Sequence, residues 1–229
     1  VSTKDESGPV TLIAVLEAPV ENTDEFIAGW RTHLEPLRTA PGFRGARLHR
    51  ALRAEHRFPL VAVADWASPA DLAAAVSGEQ RGPGAEKYAK TVHRGVYRAI
   101  GEVASGQRAD GAGVTMINAF ELPGERVEEF LDAWRPRAER ASQSPGFVDF
   151  RMHRAVGEAS LPLVNVAHYA SVDAWKALQA DPEFQARKAV NPPYATANPG
   201  LFEVVADVVA EVVTEVVAEV VDEVGAGPM

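Results

Sequence analysis

Apolar and polar residues alternate with a period of two from Val10 to Leu16, the pattern of a half-buried strand, and the alternation stops after Glu17. Asn22-Thr23-Asp24-Glu25 then offers an N-cap and first-turn acids. Phe26, Trp30, Leu34 and Leu37 follow near one helical face, so a helix is expected that ends before Pro41-Gly42. Two strands follow at about 43–51 and 58–66, and Ser68-Pro69 supplies the cap of a second helix. A last strand is expected around Val96 to Val103. The order is strand, helix, strand, strand, helix, strand.

The whole pattern then returns. Val10-Thr-Leu-Ile-Ala-Val-Leu-Glu17 matches Val114-Thr-Met-Ile-Asn-Ala-Phe-Glu121, and at the same offset of about 104 residues Phe26 and Trp30 match Phe130 and Trp134. Pro41-Gly42-Phe43 recurs as Pro145-Gly146-Phe147, and Arg47-Leu-His49-Arg50-Ala51 as Arg151-Met-His153-Arg154-Ala155. After a one-residue deletion, Pro59-Leu-Val-Ala-Val-Ala-Asp-Trp66 recurs as Pro162-Leu-Val-Asn-Val-Ala-His-Tyr169. Two units are therefore expected, at 10–103 and 114–208, joined by a solvated linker and followed by an acidic, Val-rich tail at 209–229. The order β-α-β-β-α-β is the ferredoxin-like arrangement, with both helices on one face of an antiparallel sheet. Packing the two sheets face to face buries both remaining apolar faces, so the fold class is α+β: two fused ferredoxin-like units forming a dimeric-type barrel.

Composition narrows the chemistry. Of 229 residues, 46% are apolar and 24% charged, as in an ordinary globular protein, and the absence of cysteine removes disulfides, thiolate metal sites and cysteine nucleophiles. The net charge of −9 argues against a nucleic-acid partner, which would need a clustered basic surface. No run of about 20 uncharged apolar residues exists to span a membrane, and Val1 to Pro9 lacks a signal-peptide pattern, so a cytoplasmic location is expected. Seven acids from Glu203 to Glu223 follow an acid-Val-Val-small repeat. Its first residues are expected to finish the sheet, with Val204, Ala206 and Val208 on one apolar face.

Polar residues present in only one unit need a local reason that the shared fold does not supply. Asn118 stands where the first unit has Ala14, and Asn165 where it has Ala62. By strand parity Asn118 shares a face with Met116 and Phe120, and Asn165 shares one with Ala167 and Tyr169, so amides and a phenol can converge beside apolar walls. A buried, unpaired Asn costs about 1–3 kcal/mol, which a bound polar ligand would offset; bonds to neighbouring backbone or water are the alternative. His49 and His153 are duplicated, which favours cross-strand bonds over acid–base roles. His168 has the opposite parity to Asn165 and Tyr169. No two histidines are spaced to ligate a metal, and none is expected. The helical spacing of Phe26, Trp30, Phe130 and Trp134 assigns them to the core. The segments Ser77 to Gly95 and Asp181 to Gly200, which carry Tyr88 and Tyr194, are candidate lids. In the second, a further helical turn brings Arg187 and Lys188 toward the ligand or, equally, forms a solvated basic face.

Taken together, "VTMINAFE", the helix with Phe130 and Trp134, "PGF…RMHR" and "LVNVAHYAS…AW" resemble the antibiotic biosynthesis monooxygenase family over about 190 residues. The family consists of small dimeric α+β barrel oxygenases, and two of its units are fused here. What the resemblance implies is an oxygenase that oxidises a fused-ring phenolic aromatic polyketide with O2, forming a quinone or cleaving a ring. It implies no tightly bound cofactor. A tandem-unit oxygenase of the angucycline ring-opening type, using reduced flavin (FADH2 or FMNH2) with a flavin reductase as partner, is the alternative within that class. A non-catalytic polyketide-binding or cyclase-like protein is the alternative outside it. Positions carried over from the family make Asn165, Tyr169, Trp175 and Arg187 candidate catalytic residues. Asn118, Trp66, His153 and Tyr194 are candidate substrate contacts. The first unit has Ala62, Leu72 and Glu86 at the remaining family positions, so the second unit is expected to hold the working pocket. The family also makes a homodimer a candidate assembly, although fusion already joins two units.

Overall fold

The alternating runs at Val10–Glu17 (β1) and Val114–Glu121 (β5) form inner strands of two four-stranded sheets in the computed structural model, which describes residues 7–17, 20–77, 88–105, 113–190 and 192–211. In the first unit β1 is followed by Val20–Leu34 (α1), Phe43–Ala51 (β2), Leu60–Trp66 (β3), Pro69–Val76 (α2) and Thr91–Ala104 (β4). In the second, β5 is followed by Val127–Ser142 (α3), Phe147–Ala155 (β6), Leu163–Tyr169 (β7), Val172–Ala180 (α4), Pro182–Lys188 (α5) and Thr196–Val209 (β8). The strands close into one antiparallel barrel in the order β1-β3-β2-β8-β5-β7-β6-β4.

Closure depends on β4 and β8, which start earlier than the sequence pattern suggests, at Thr91 and Thr196. The first half of β4 pairs with β1 of its own unit, from Glu17↔Thr91 to Thr11↔Tyr97, and the second half with β6 of the other. β8 likewise pairs first with β5 and then with β2. These two strands take the last residues of both candidate lid segments, 91–95 and 196–200, and α5 takes the start of the second; residues 78–87 of the first lie outside the described residues. A register shift between Leu48 and His49 moves Val204 off the apolar face expected for it: Val204 is exposed while Ala206 and Val208 are buried. The tail from 212 onward and most of the linker lie outside the described residues.

Local chemistry fixes the helix starts. Ser68 Oγ accepts from Asp71 N and Ser171 Oγ from Ala174 N, each at 3.1 Å, and Asp181 Oδ1 accepts from Phe184 N at 2.7 Å. α1 begins at Val20, ahead of the expected cap at Asn22, and ends in a 3-10 turn at Glu35–Thr39. The duplicated Pro-Gly turns place Gly42 and Gly146 at φ +73° and +76°, a backbone region open to glycine, and a Cβ on Gly146 would meet Ala174 Cβ at 2.6 Å. Inside the barrel Ile13, Val15, Phe58, Tyr97, Ile117 and Phe202 form a shared core, and the helices of each unit pack on the outer faces. Among the described residues no helix is long and apolar enough to cross a membrane.

Candidate active site

The two helix-covered clefts are filled differently. In the first unit Phe26, Trp30, Phe43, Trp66 and Leu72 pack with Tyr88 into a core cluster, over strand positions where Ala14 pairs with Ala62. In the second a cavity of about 790 Å³ opens between the sheet and α3, α4 and α5, within the range of about 300–1,000 Å³ usual for ligand sites. Met116, Asn118, Asn165, Ala167 and Tyr169 form its floor, and Trp134, Phe147, Phe150, Trp175 and Phe184 supply flat walls.

Asn118 and Asn165 are direct partners in the β5–β7 register, only 8% and 5% exposed. The Oδ1 atom of each is buried with no hydrogen-bond partner among the described residues. Both amides thus line an apolar chamber while their oxygens lie buried beside it with acceptor capacity unused, a costly arrangement in the free protein. Tyr169 stands on the same floor with its ring edge on Phe147 at 5.9 Å, and burial pushes its phenol up to about 12. Trp134 lies at the edge of the core stripe to which its spacing assigned it. Its ring meets Phe150 at 5.4 Å, and it also faces the cavity.

Of the eight residues singled out from the sequence, Asn118, Asn165, Tyr169 and Trp175 come together here, and four lie elsewhere. Trp66 is 1% exposed in the first unit's core, edge-on to Phe43 at 5.2 Å, because that cleft is packed shut. Tyr194 packs beside the Phe120–Phe130 cluster under the Arg126 guanidinium, 4.0 Å above its ring. Arg187 turns away from the cavity, donating to Pro136 O at 3.0 Å and to Glu183 at 2.6 Å, so it ties α5 to α3. His153 points through the sheet to the barrel interior.

A family comparison bears directly on this arrangement. The sequence model for "Antibiotic biosynthesis monooxygenase" matches residues 9–82 and again 113–190. The chain belongs to this family. None of the curated proteins matches it in sequence. Among solved structures, an anthrone oxidase-like protein superimposes with a TM-score of 0.72 at 16% identity, over 92% of this chain and 96% of its own. A putative monooxygenase from Fusobacterium nucleatum does so with a TM-score of 0.67 at 8% identity, over 90% and 96%. SnoaB, a cofactor-independent oxygenase from Streptomyces nogalater, aligns at 27% identity and a TM-score of 0.37 over 41% of this chain and 93% of its own. The two full-length likenesses share the tandem barrel of this family member.

Two features of the cavity escape a residue-by-residue transfer from the family. Arg137 lines it, half-buried, and burial pushes the guanidinium down to about 10. Its helical signal is present in the sequence: Trp134, Arg137, Ala138 and Ala141 follow i, i+3, i+4, i+7 spacing and so share the α3 face that the cavity exposes. Lys188, rather than Arg187, reaches the rim, where its Nζ lies 3.1 Å from Gln179 Oε1. The second feature is a group of first-unit residues at 52–57 that also line this second-unit cavity.

The barrel interior holds a smaller polar cavity of about 320 Å³. His49 and His153 face it with only 2% exposure, their Nδ1 atoms 3.1 Å from Val61 O and 3.2 Å from Val164 O, which are cross-strand bonds along the register. Burial lowers both to about 4, so they are neutral at physiological pH. His168, with its Nδ1 at 2.6 Å from Asp149 Oδ1, opens to the same side. Among the described residues no three His, Asp or Glu side chains are grouped to hold a metal ion.

Proposed function

We propose that the protein is an oxygenase that oxidises a fused-ring phenolic aromatic of the polyketide class with O2, in the cavity of its second unit. The observation that carries this reading is the pair of unpartnered buried oxygens, Asn118 Oδ1 and Asn165 Oδ1, on the floor of an aromatic-walled chamber. A turn of each amide about its terminal torsion brings that oxygen to the cavity, where it accepts a hydrogen bond from a ring hydroxyl, while the rings of Trp134, Phe150 and Trp175 suit a planar body. Family membership supports the oxygenase class.

In this reading the protein supplies placement and charge. The half-buried Arg137 cation favours the ionised phenol, and Tyr169, held protonated by burial, donates to the oxygen on which charge develops. The electron-rich anion gives one electron to O2, and the substrate radical and superoxide combine in a carbon–oxygen bond. Loss of water from the resulting peroxide leaves a carbonyl. At a ring methylene this yields a quinone: one oxygen atom stays, and the other leaves as water with the two methylene hydrogens. Oxygen insertion with ring cleavage gives up no such hydrogens and needs two further electrons, for which a reduced flavin is the co-reactant.

Incubation with a hydroxyanthrone, and separately with a polycyclic phenol of the dehydrorabelomycin type, under labelled O2 tests the reading. Label should enter the product above the uncatalysed rate, and arms with and without reduced flavin distinguish the two modes. Tight binding without incorporation in either arm would make the protein a polyketide binder instead.

A further inference from the structure

Among the described residues the first unit's cleft is filled by a core cluster, yet its β2–β3 hairpin lies beside β8 and lines the second unit's cavity with Leu52, Arg53, Glu55, His56 and Arg57. The hairpin is fastened at its base. Leu52 N donates to Leu201 O at 2.8 Å, and Arg57 donates to Glu17 of its own unit at 2.7 Å and to Glu121 of the other. His56 makes the fastening nearest the cavity. Its Nδ1 lies 3.1 Å from Phe58 N and 3.0 Å from Phe58 O, and its Nε2 lies 3.2 Å from Pro199 O. Backbone groups thus hold both ring nitrogens.

The opposite strand is built to receive that ring. The His56 ring meets Phe202 edge-on at 5.5 Å, and a Cβ at Gly200 would lie 2.7 Å from Nε2, so glycine lets the imidazole reach the Pro199–Gly200 stretch that itself lines the cavity. The second unit's hairpin makes the same backbone link, Val156 N to Val96 O at 2.7 Å, but carries Gly157, Ala159 and Ser160 where the first has Arg53, His56 and Arg57. On the second hairpin Ser160 Oγ lies 2.8 Å from His93 Nδ1, in place of the bonds that His56 and Arg57 make on the first. Leu52 is left 46% exposed at the mouth, a large apolar side chain whose free face looks onto the chamber.

We infer that the site is composite: the first unit's hairpin is the outer wall of the second unit's cavity, Leu52 is a specificity-determining residue that meets the far end of a long ring system, and His56 is the positioning residue that holds the wall. The inference rests on the second-unit cavity being the ligand site, and not on the reaction performed there.

Binding of two unreactive probes tests it: a three-ring dihydroxyanthraquinone and a four-ring hydroxytetracenequinone, read by quenching of Trp134 and Trp175 fluorescence. Leu52→Ala should weaken the four-ring probe by about tenfold and leave the three-ring probe within about twofold, since only the longer molecule reaches the mouth. His56→Ala should weaken both, and His56→Gln, whose amide can accept from Phe58 N and donate to Pro199 O, should restore them. A purely structural histidine would instead lower thermal stability at unchanged affinity. Folded Leu52→Ala protein with an unaltered ratio of the two affinities would overturn the inference, as would wild-type protein that binds neither probe. If His56→Ala fails to fold, the exposed Leu52 position decides alone. Selectivity that shifts in a protein incorporating no label would leave the wall standing and remove the oxygenase.

Discussion

Replacing Asn165 by leucine should make the protein more stable and worse at its task. Asn165 is 5% exposed, its Oδ1 has no partner among the described residues, and its cross-strand neighbour Asn118 has the same deficit. Leaving a buried acceptor unsatisfied costs about 1–3 kcal/mol, and a leucine of similar size removes that cost while adding apolar contact with Ala167 and the cavity walls. The first unit shows that the fold accepts apolar residues here, since Ala14 pairs with Ala62 at the equivalent positions. For a chain of this length each kcal/mol moves Tm by about 2–4 °C, so a rise of several degrees is expected by calorimetry. The ligand meanwhile loses its acceptor and buries a hydroxyl against a methyl group, which should weaken a hydroxyanthraquinone by about tenfold to a hundredfold. Because the two amides are neighbours, the Asn118→Leu and Asn165→Leu gains should not add in the double variant. A fall in Tm for either single variant would refute the reasoning, because it would mean the amide already has a partner in the free protein.

Three further outcomes follow from the charges around the two cavities. Arg137→Met removes the half-buried cation, so the rising limb of kcat/KM against pH should move upward by about one unit; an unmoved limb assigns substrate ionisation to another group. Tyr169 titrates near 12 and stays protonated across the working range, so Tyr169→Phe should lower the rate about tenfold without changing the shape of the pH profile below about 9. Burial holds His49 and His153 near 4, against a usual 6.5, so between those values the unfolded chain binds protons that the native one does not. Stability from these groups is therefore full above about 6.5 and is lost as pH falls toward 4, by on the order of 3 kcal/mol for each; a urea midpoint that stays level across that window would contradict their burial.

The architecture was readable because duplication presents each pattern twice, and what the two copies share (the alternating first strand, the Pro-Gly turn, the Ser-capped second helix) is what the barrel needs. Strand lengths were less readable. The extensions of β4 and β8 are imposed by pairing with β1 and β5, about 75–85 residues away, and Pro199-Gly200 within β8 looks locally like a strand breaker. For the site, the contrast between units singled out Asn118 and Asn165, since an amide replacing alanine on a buried strand face is a local anomaly. The same contrast could not place Arg187, whose direction is set by the carbonyl of Pro136 on a neighbouring helix, nor His153, whose strand parity sends it through the sheet to the barrel interior. Hairpin residues 52–57 were beyond reach for a different reason: they serve a cavity in the other unit, and only the barrel's closure brings them there.

A structure of the protein with a hydroxyanthraquinone bound would test the central claim most directly. The account predicts one molecule in the second unit, its ring plane between Trp134 and Trp175 and its hydroxyls within hydrogen-bond distance of Asn118 and Asn165. Density for the aromatic in the first unit's cleft, or inside the barrel beside His49 and His153, would contradict it.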